Sequence, residues 1–481
     1  MARIQDRCAL LDYSHTPGNN QPLNAETAMM DVKNKHIVVA GAARSGVAVA
    51  MLLKRRGATP FVSDSGSVEP EFAEKLRGEE ISFEENGHSE QAMNGDFLVL
   101  SPGVPTTSNI ARAYLKKRKS VFSEIEVASW YCQSPIIAVT GSNGKTSVVN
   151  WLAHTWKLAN REHILAGNIG TAFSDHVDES SPDKDSLLEI SSFQLDHIDT
   201  FRPAVSIILN ITPDHLDRYE QDFQKYAASK LNITKNQTGI DWFIYNVDDP
   251  ILSSHADKLA GEDQSPRMLA FSSIGEVANG AFVRDGKLIL KFNNTEEQLM
   301  QIGEIGLTGQ HNLKNGMATA LAARASEIKN EFIRESLKTF EGVAHRLELV
   351  RTYDGVNYVN DSKASNINAV WFALDSFTMP VVLILGGRDK GNDYTLLTDQ
   401  IREKVHTVVA IGEAREKIKA QIGDIVPNLL EAESMKEAVK LSTKAAKRGE
   451  TVLLSPACSS FDMFKNFEDR GNQFKQAVLD L

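Results

Sequence analysis

Gly141-Ser142-Asn143-Gly144-Lys145-Thr146 follows the apolar run at residues 136–139 and precedes an amphipathic segment that starts at Ser147. That order is strand, glycine-rich loop, helix. Such a loop turns successive backbone N–H groups and a helix N-terminus toward one point, where Lys145 adds a positive charge and Thr146 a hydroxyl able to hold Mg²⁺. The natural occupant is the polyphosphate of a nucleotide. A full phosphate-loop pattern has a further glycine at position 139, where this chain has Val139, so the loop is a shortened relative of that pattern. A plain strand-to-helix turn is the alternative reading.

Upstream, Ile37-Val38-Val39-Ala40 reads as a buried strand, residues 41–46 as a turn, residues 47–56 as a helix and Pro60-Phe61-Val62-Ser63 as a second strand. Phe97-Leu98-Val99-Leu100, followed by Ser101-Pro102-Gly103, is a further strand ending in a loop. This βαβ pattern is that of a dinucleotide-binding fold. Its turn, Gly41-Ala42-Ala43-Arg44-Ser45-Gly46, has Ala43 where the nicotinamide fingerprint places its middle glycine, which disfavours NAD. A nucleotide diphosphate held near Ala43, Arg44 and Ser45 stays open. Downstream of the phosphate loop, residues 187–190, 205–209 and 242–245 read as strands, as do 381–385, 408–411 and 451–454. Apolar runs bounded by loops suit parallel sheets covered by helices on both faces.

The expected organisation is α/β with three domains. A weakly ordered leader (1–34) precedes a Rossmann-like domain (35–130), a central P-loop-type ATPase domain with a parallel sheet (131–342) and a Rossmann-like C-terminal domain (343–481). The 481-residue length fits several cores. A net charge of −11, from 52 basic and 63 acidic residues, argues against nonspecific nucleic-acid or anionic-membrane binding, so a polyanionic ligand must be held locally. Cys8, Cys132 and Cys458 are widely spaced and odd in number, which gives neither a disulfide framework nor a metal-ligand spacing. No apolar run reaches the roughly 18 residues that span a bilayer, and a cytoplasmic protein is expected.

Glu189 ends a predicted strand, the place where parallel sheets bind ligands, and beside a phosphate loop it suits Mg²⁺. An ordinary loop acid is the alternative. Asn210-Ile211-Thr212-Pro213-Asp214-His215-Leu216-Asp217-Arg218 crowds polar groups behind another strand. His215 there reads as a metal or phosphate ligand, or as a structural hydrogen-bond donor.

Thr140 to Thr146, the Glu189 strand end, the Asp214-His215 loop and Gly309-Gln310-His311-Asn312-Leu313-Lys314-Asn315 occur in the order typical of Mur ligases. His345-Arg346, Asn360-Asp361-Ser362-Lys363-Ala364-Ser365-Asn366 and Gly386-Gly387-Arg388-Asp389-Lys390-Gly391 extend the resemblance over nearly everything after the leader. Glu189-Ile190-Ser191-Ser192-Phe193-Gln194-Leu195 and the long run from Leu454 to Gly471 resemble the D-glutamate-adding members. Ala43, and Ser365 where threonine is common, depart from the pattern.

The resemblance implies that ATP, D-glutamate and UDP-N-acetylmuramoyl-L-alanine are converted to the dipeptide product, ADP and phosphate in peptidoglycan synthesis, through an acyl phosphate and a tetrahedral intermediate. It implies that Gly141, Ser142, Asn143, Gly144, Lys145 and Thr146 bind the ATP phosphates, with Asn312 and Asn315 at the adenine. Arg346 and Asp361 would reach phosphates and ribose, and Lys363 the phosphate being transferred. Two Mg²⁺ sites are implied, drawing on Thr146, Glu189, His215 and an N-carboxylated Lys230. Read alone, Lys230 is a surface-type helix lysine, and only the resemblance selects it.

The D-glutamate pocket would combine Ser365, Lys390, Ser460 and Phe467, although Phe467 also reads as a core aromatic. Ala43, Arg44, Ser45, Asp64, Ser101 and Asn168 would hold the UDP-substrate, with Asp64 about 20 residues after Gly41, as for a ribose-binding acid. No nucleic acid, membrane insertion or second copy is implied. Closure of the domains should bring Lys363 and Lys390 toward Lys145. The competing readings are a ligase for another amino acid or acceptor, and a nucleotide sensor without ligase activity.

Overall fold

The computed structural model describes residues 30–292 and 295–481, so most of the expected leader lies outside the described residues. Val32, at the leader's end, is buried against the first unit's core. Each of three sheets organises one part of the chain. In the first, the strand order is Ser82–Glu84, Thr59–Ser63, His36–Ala40, Phe97–Leu100, Val121–Ser123, all parallel. Its central strands are buried on both faces, hence their unbroken apolar sequences. The order reverses between His36–Ala40 and Phe97–Leu100, and the loops leaving these two strands open a crevice there.

The central sheet has nine strands. Ile136–Thr140 lies between Asp185–Glu189 and Val205–Ile208, parallel to both, which brings the three loops that follow them to one edge. The sheet is not parallel throughout, as the sequence suggested. Gly280–Arg284, Lys287–Phe292 and Thr295–Gln301 pair antiparallel at one side. The first of these hairpins turns on Asp285 (φ 49°) and Gly286 (φ 70°), a pair suited to the left-handed turn that matches strand twist. Asp354 (φ 46°) and Gly355 (φ 76°) make the same turn between Glu348–Tyr353 and Val356–Asn360, which add an antiparallel edge to the third, six-stranded sheet.

Helix Lys145–Leu158 starts directly from the glycine-rich loop and buries Trp151, whose ring stacks on Phe340 at 4.9 Å and whose Nε1 donates to Ser336 O. Helix Gln310–Ala325 packs beside it, apolar and small on its buried side (Met317, Ala318, Leu321, Ala322). This packing fixes the direction in which the phosphate loop faces. Among the described residues no helix is long and apolar enough to cross a membrane.

Candidate active site

The phosphate loop has glycine where the backbone requires it. Gly144 has φ 91°, and a Cβ there would lie 2.6 Å from Asn315 Oδ1. The loop that follows Val205–Ile208 clamps it. Asn210 Oδ1 accepts from Asn143 N at 2.9 Å while Asn210 Nδ2 donates to Asn143 O at 3.1 Å. Ser142 Oγ donates to Thr212 O at 2.8 Å and also meets Tyr226 OH at 2.9 Å. Sequence reasoning gives Asn210 and Tyr226 no role. For Asn210 the available signal is its place just beyond a strand that neighbours the loop.

Cations converge on this loop. Lys145 Nζ folds back onto Gly141 O and Ser142 O, at 2.7 and 2.9 Å. Burial lowers its pKa, and Arg346 adds to that while Glu189 and Asp214 oppose it. Thr146 Oγ1 donates to Glu189 Oε2 at 2.6 Å, and Lys363 Nζ, from the third unit, donates to Thr146 Oγ1 at 2.9 Å. Lys230 is not the surface lysine its sequence context suggested. It is buried, with Nζ on Gly141 O at 2.9 Å and 4.8 Å from the Tyr226 ring centre. Burial first, and then Lys145, holds its pKa well below the ordinary lysine value. So many partly desolvated positive groups around one loop call for a multiply charged anion.

The third unit closes over the same space. Asn366 Nδ2 donates to Asp214 Oδ2 at 3.2 Å and Asn368 Nδ2 to Pro213 O at 3.1 Å, which ties it to the His215 loop. His215 has φ 51°, and its ring packs edge-on against Phe193 at 5.2 Å. Asp361 accepts from Ser455 Oγ at 2.8 Å, and burial raises its pKa to about 7. Arg346, Asp361, Ser365 and Phe467 line a cavity of about 410 Å³ together with Lys145 and Asn315. Phe467 is half-buried in that wall at the start of helix Phe467–Leu479, with Lys363 Nζ 5.3 Å from its ring centre, and so is not a plain core aromatic.

Two further cavities continue from this one. Lys145, Asp214 and His215 also line a space of about 290 Å³ that Lys230, Ser191 and Gly103 complete. Pro102 and Gly103 lead on to a cavity of about 520 Å³ at the crevice of the first sheet, lined by Ala43, Arg44, Ser45, Asp64 and Ser101. Asn168 borders all three cavities, and its Nδ2 donates to Glu189 Oε1 at 3.0 Å. In the first unit, Ser101 Oγ donates to Gly41 O at 3.0 Å, and Asp64 Oδ2 accepts from Ala42 N at 2.7 Å. These bonds shape the turn at the N-terminus of helix Arg44–Arg55.

Four expected residues stand outside these walls, among them Gly141, whose carbonyl accepts from Lys145 and Lys230. Asn312 donates to Thr308 O at 2.8 Å, a local bond near the start of helix Gln310–Ala325, while Asn315 one turn on reaches the cavity. Lys390 is exposed and Ser460 buried, and neither lines any of the three spaces. Conversely, Gln310, His311 and Lys314, to which the sequence motif alone assigns no role, do line the nucleotide-sized cavity. Burial lowers His311 to about 4, so its ring is neutral.

Residues 139–323 match the Mur ligase middle domain, 345–458 the Mur ligase glutamate ligase domain and 37–110 the MurD N-terminal domain. The chain belongs to the Mur ligase family. Within it, the chain is similar to the UDP-N-acetylmuramoylalanine--D-glutamate ligases of Salinibacter ruber, at 48% identity over 94% of this chain and 99% of that one, and of Chloroherpeton thalassium, at 45% over the same shares. The fold is shared with the UDP-N-acetylmuramate-alanine ligase MurC of Thermotoga maritima (TM-score 0.58, 16% identity, 93% of this chain and 99% of that one). It is also shared with the MurF ligase of that organism in complex with ADP (TM-score 0.57, 15% identity, 94% and 97%).

Proposed function

We propose that the protein joins D-glutamate to the alanyl carboxylate of UDP-N-acetylmuramoyl-L-alanine at the expense of ATP, a step of peptidoglycan synthesis. The observation that carries this reading is the run of three cavities through shared residues. The UDP moiety occupies the first, near Asp64 and Ser101. The muramoyl-alanine arm passes Asn168 to the middle space, and ATP fills the third with its γ-phosphate at Lys145.

A carboxylate is a poor electrophile, so an oxygen of the alanyl carboxylate first attacks the γ-phosphorus and ADP leaves. The amine of D-glutamate then adds to the acyl carbon, the tetrahedral intermediate expels phosphate, and the ammonium proton is lost. Negative charge accumulates in both steps, and cations have to neutralise it. Lys145 and the loop N–H groups hold the β- and γ-phosphates. Lys363, fixed against Thr146, faces the phosphoryl group in transfer. Ser365 and Phe467 border the side from which the amine enters, while Lys390 needs a movement of its glycine-rich loop to take part.

Thr146 and Glu189 offer a hard oxygen pair in a corner that already accepts the Lys363 ammonium, which suits a Mg²⁺ that would neutralise phosphate charge. His215 and Lys230 line one space and would serve a second Mg²⁺. Burial works against the charged form of Lys230, the direction that favours the free amine needed for carbamate formation with CO₂. A single chain supplies every one of these residues, so the reading requires only a monomer.

The test is the identity of the nucleotide products when all three substrates are present. ADP and phosphate in equal amounts are expected. AMP and pyrophosphate would mean an acyl adenylate and would overturn the mechanism.

A further inference from the structure

The crevice of the first unit contains a hydrogen-bonded relay. His88 lines this cavity with Asp64 and Ser101. Its Nδ1 lies 2.6 Å from Ser63 Oγ, and the same hydroxyl lies 2.7 Å from Glu84 Oε1, with Gly87 O farther off at 3.5 Å. Ser63 ends the strand Thr59–Ser63 and is fully buried, while Glu84 ends the adjoining strand Ser82–Glu84. Glu84 Oε1 also accepts from Ser89 N at 2.9 Å.

Burial works to raise the Glu84 pKa, but the bonds from Ser89 and Ser63 outweigh it and hold the carboxyl below its ordinary value. An ionised carboxylate only accepts, so the single Ser63 proton goes to Glu84 and the hydroxyl oxygen accepts from His88. Nδ1 therefore carries a proton, and in the singly protonated ring Nε2 is left without one. Nε2 becomes an acceptor, and it is the ring nitrogen left for the cavity. Asp64 adds further acceptor capacity, each of its oxygens taking one backbone donor, from Ala42 N and Gly66 N at 2.7 and 2.8 Å. This wall calls for hydrogen-bond donors on the ligand. A uridine has few of them: the ribose hydroxyls and the uracil N3–H.

We propose that His88 selects the uridine of the substrate, its Nε2 being held as an acceptor by Ser63 and Glu84 and taking a ribose hydroxyl or the uracil N3–H. The proposal rests on the functional reading above, which places a uridine diphosphate in this cavity. His88→Asn keeps a donor near Ser63 and removes Nε2, whereas His88→Gln sets an amide near the Nε2 position.

Calorimetric titration of the full chain with UDP, 2′-deoxy-UDP, 3′-deoxy-UDP and N3-methyl-UDP tests it. His88→Asn should weaken UDP binding roughly tenfold, with His88→Gln recovering part of the loss. For the one analogue that lacks the recognised donor, wild type and His88→Asn should agree within about twofold, which separates ribose from uracil. The KM for the UDP-substrate should rise in His88→Asn while kcat stays within about twofold. Unchanged UDP affinity in His88→Asn, or an equal loss for every ligand, overturns the role of His88 alone. A wild-type protein that does not bind UDP overturns the functional reading as well.

Discussion

Lys363 Nζ lies 2.9 Å from Thr146 Oγ1, a contact between residues 217 positions apart that joins the third unit to the phosphate loop of the second. Burial chiefly, and then the Arg346 charge, lowers the Lys363 pKa to about 8. The lysine is charged below that pH and neutral above it. The account predicts that kcat/KM for ATP falls as pH rises through this value, because the free enzyme loses the cation that meets the transferred phosphoryl group. Lys363→Met should lower kcat by roughly 100- to 1000-fold and abolish that alkaline limb, as steady-state kinetics across pH would record.

Lys230 is a buried amine of lowered basicity bound to Gly141 O, and it is the residue proposed to carry a carboxyl group. With ¹³C-labelled bicarbonate, the wild-type protein should give a carbamate carbon resonance that Lys230→Ala lacks. The variant should remain folded by circular dichroism and lose roughly 100-fold or more in kcat.

Gly144 has little room beside Asn315 of helix Gln310–Ala325, the helix proposed to border the nucleotide. Gly144→Ala puts a Cβ 2.6 Å from Asn315 Oδ1 at φ 91°, a strain of about 1–3 kcal/mol. Calorimetry should show ATP affinity reduced at least about tenfold while UDP binding in the first unit is retained, since this glycine does not border the crevice there.

Glu126 holds the first unit to the second and lines none of the three cavities. Its fully buried carboxylate accepts from Trp130 Nε1, from the backbone N–H groups of Asp199, Thr200 and Phe201 and from Thr200 Oγ1, at 2.6 to 2.9 Å. Glu126→Ala should cost about 3 kcal/mol, seen as a lower midpoint of the first thermal transition. Glu126→Gln should recover only part of it, because an amide turns one acceptor into a donor facing N–H groups.

Residues that directly follow a strand are legible in the sequence. The phosphate loop, Glu189, the turn at Ala43 and Ser101 all follow or end apolar runs whose place in a parallel sheet sets where the next residue points. The antiparallel hairpins carry a readable signal in Asp285-Gly286 and Asp354-Gly355, but the strands they join are short and mixed in polarity. Burial of Lys230 is not legible. Its helix, Phe223–Leu231, has a lysine at a position that looks outward by composition, and only the packing of that helix over Gly141 turns it inward. Asn312 and Asn315 share a helix face by spacing. The carbonyl of Thr308 captures the first, leaving the second for the cavity. The meeting of Lys363 with Thr146 depends on how two units dock, which no local pattern encodes.

The most direct test is phosphate release from ATP with UDP-N-acetylmuramoyl-L-alanine present, comparing D-glutamate with L-glutamate, L-lysine and meso-diaminopimelate. Release that requires D-glutamate is the predicted result. Release with another amino acid in its place, or with none of them, would contradict the account.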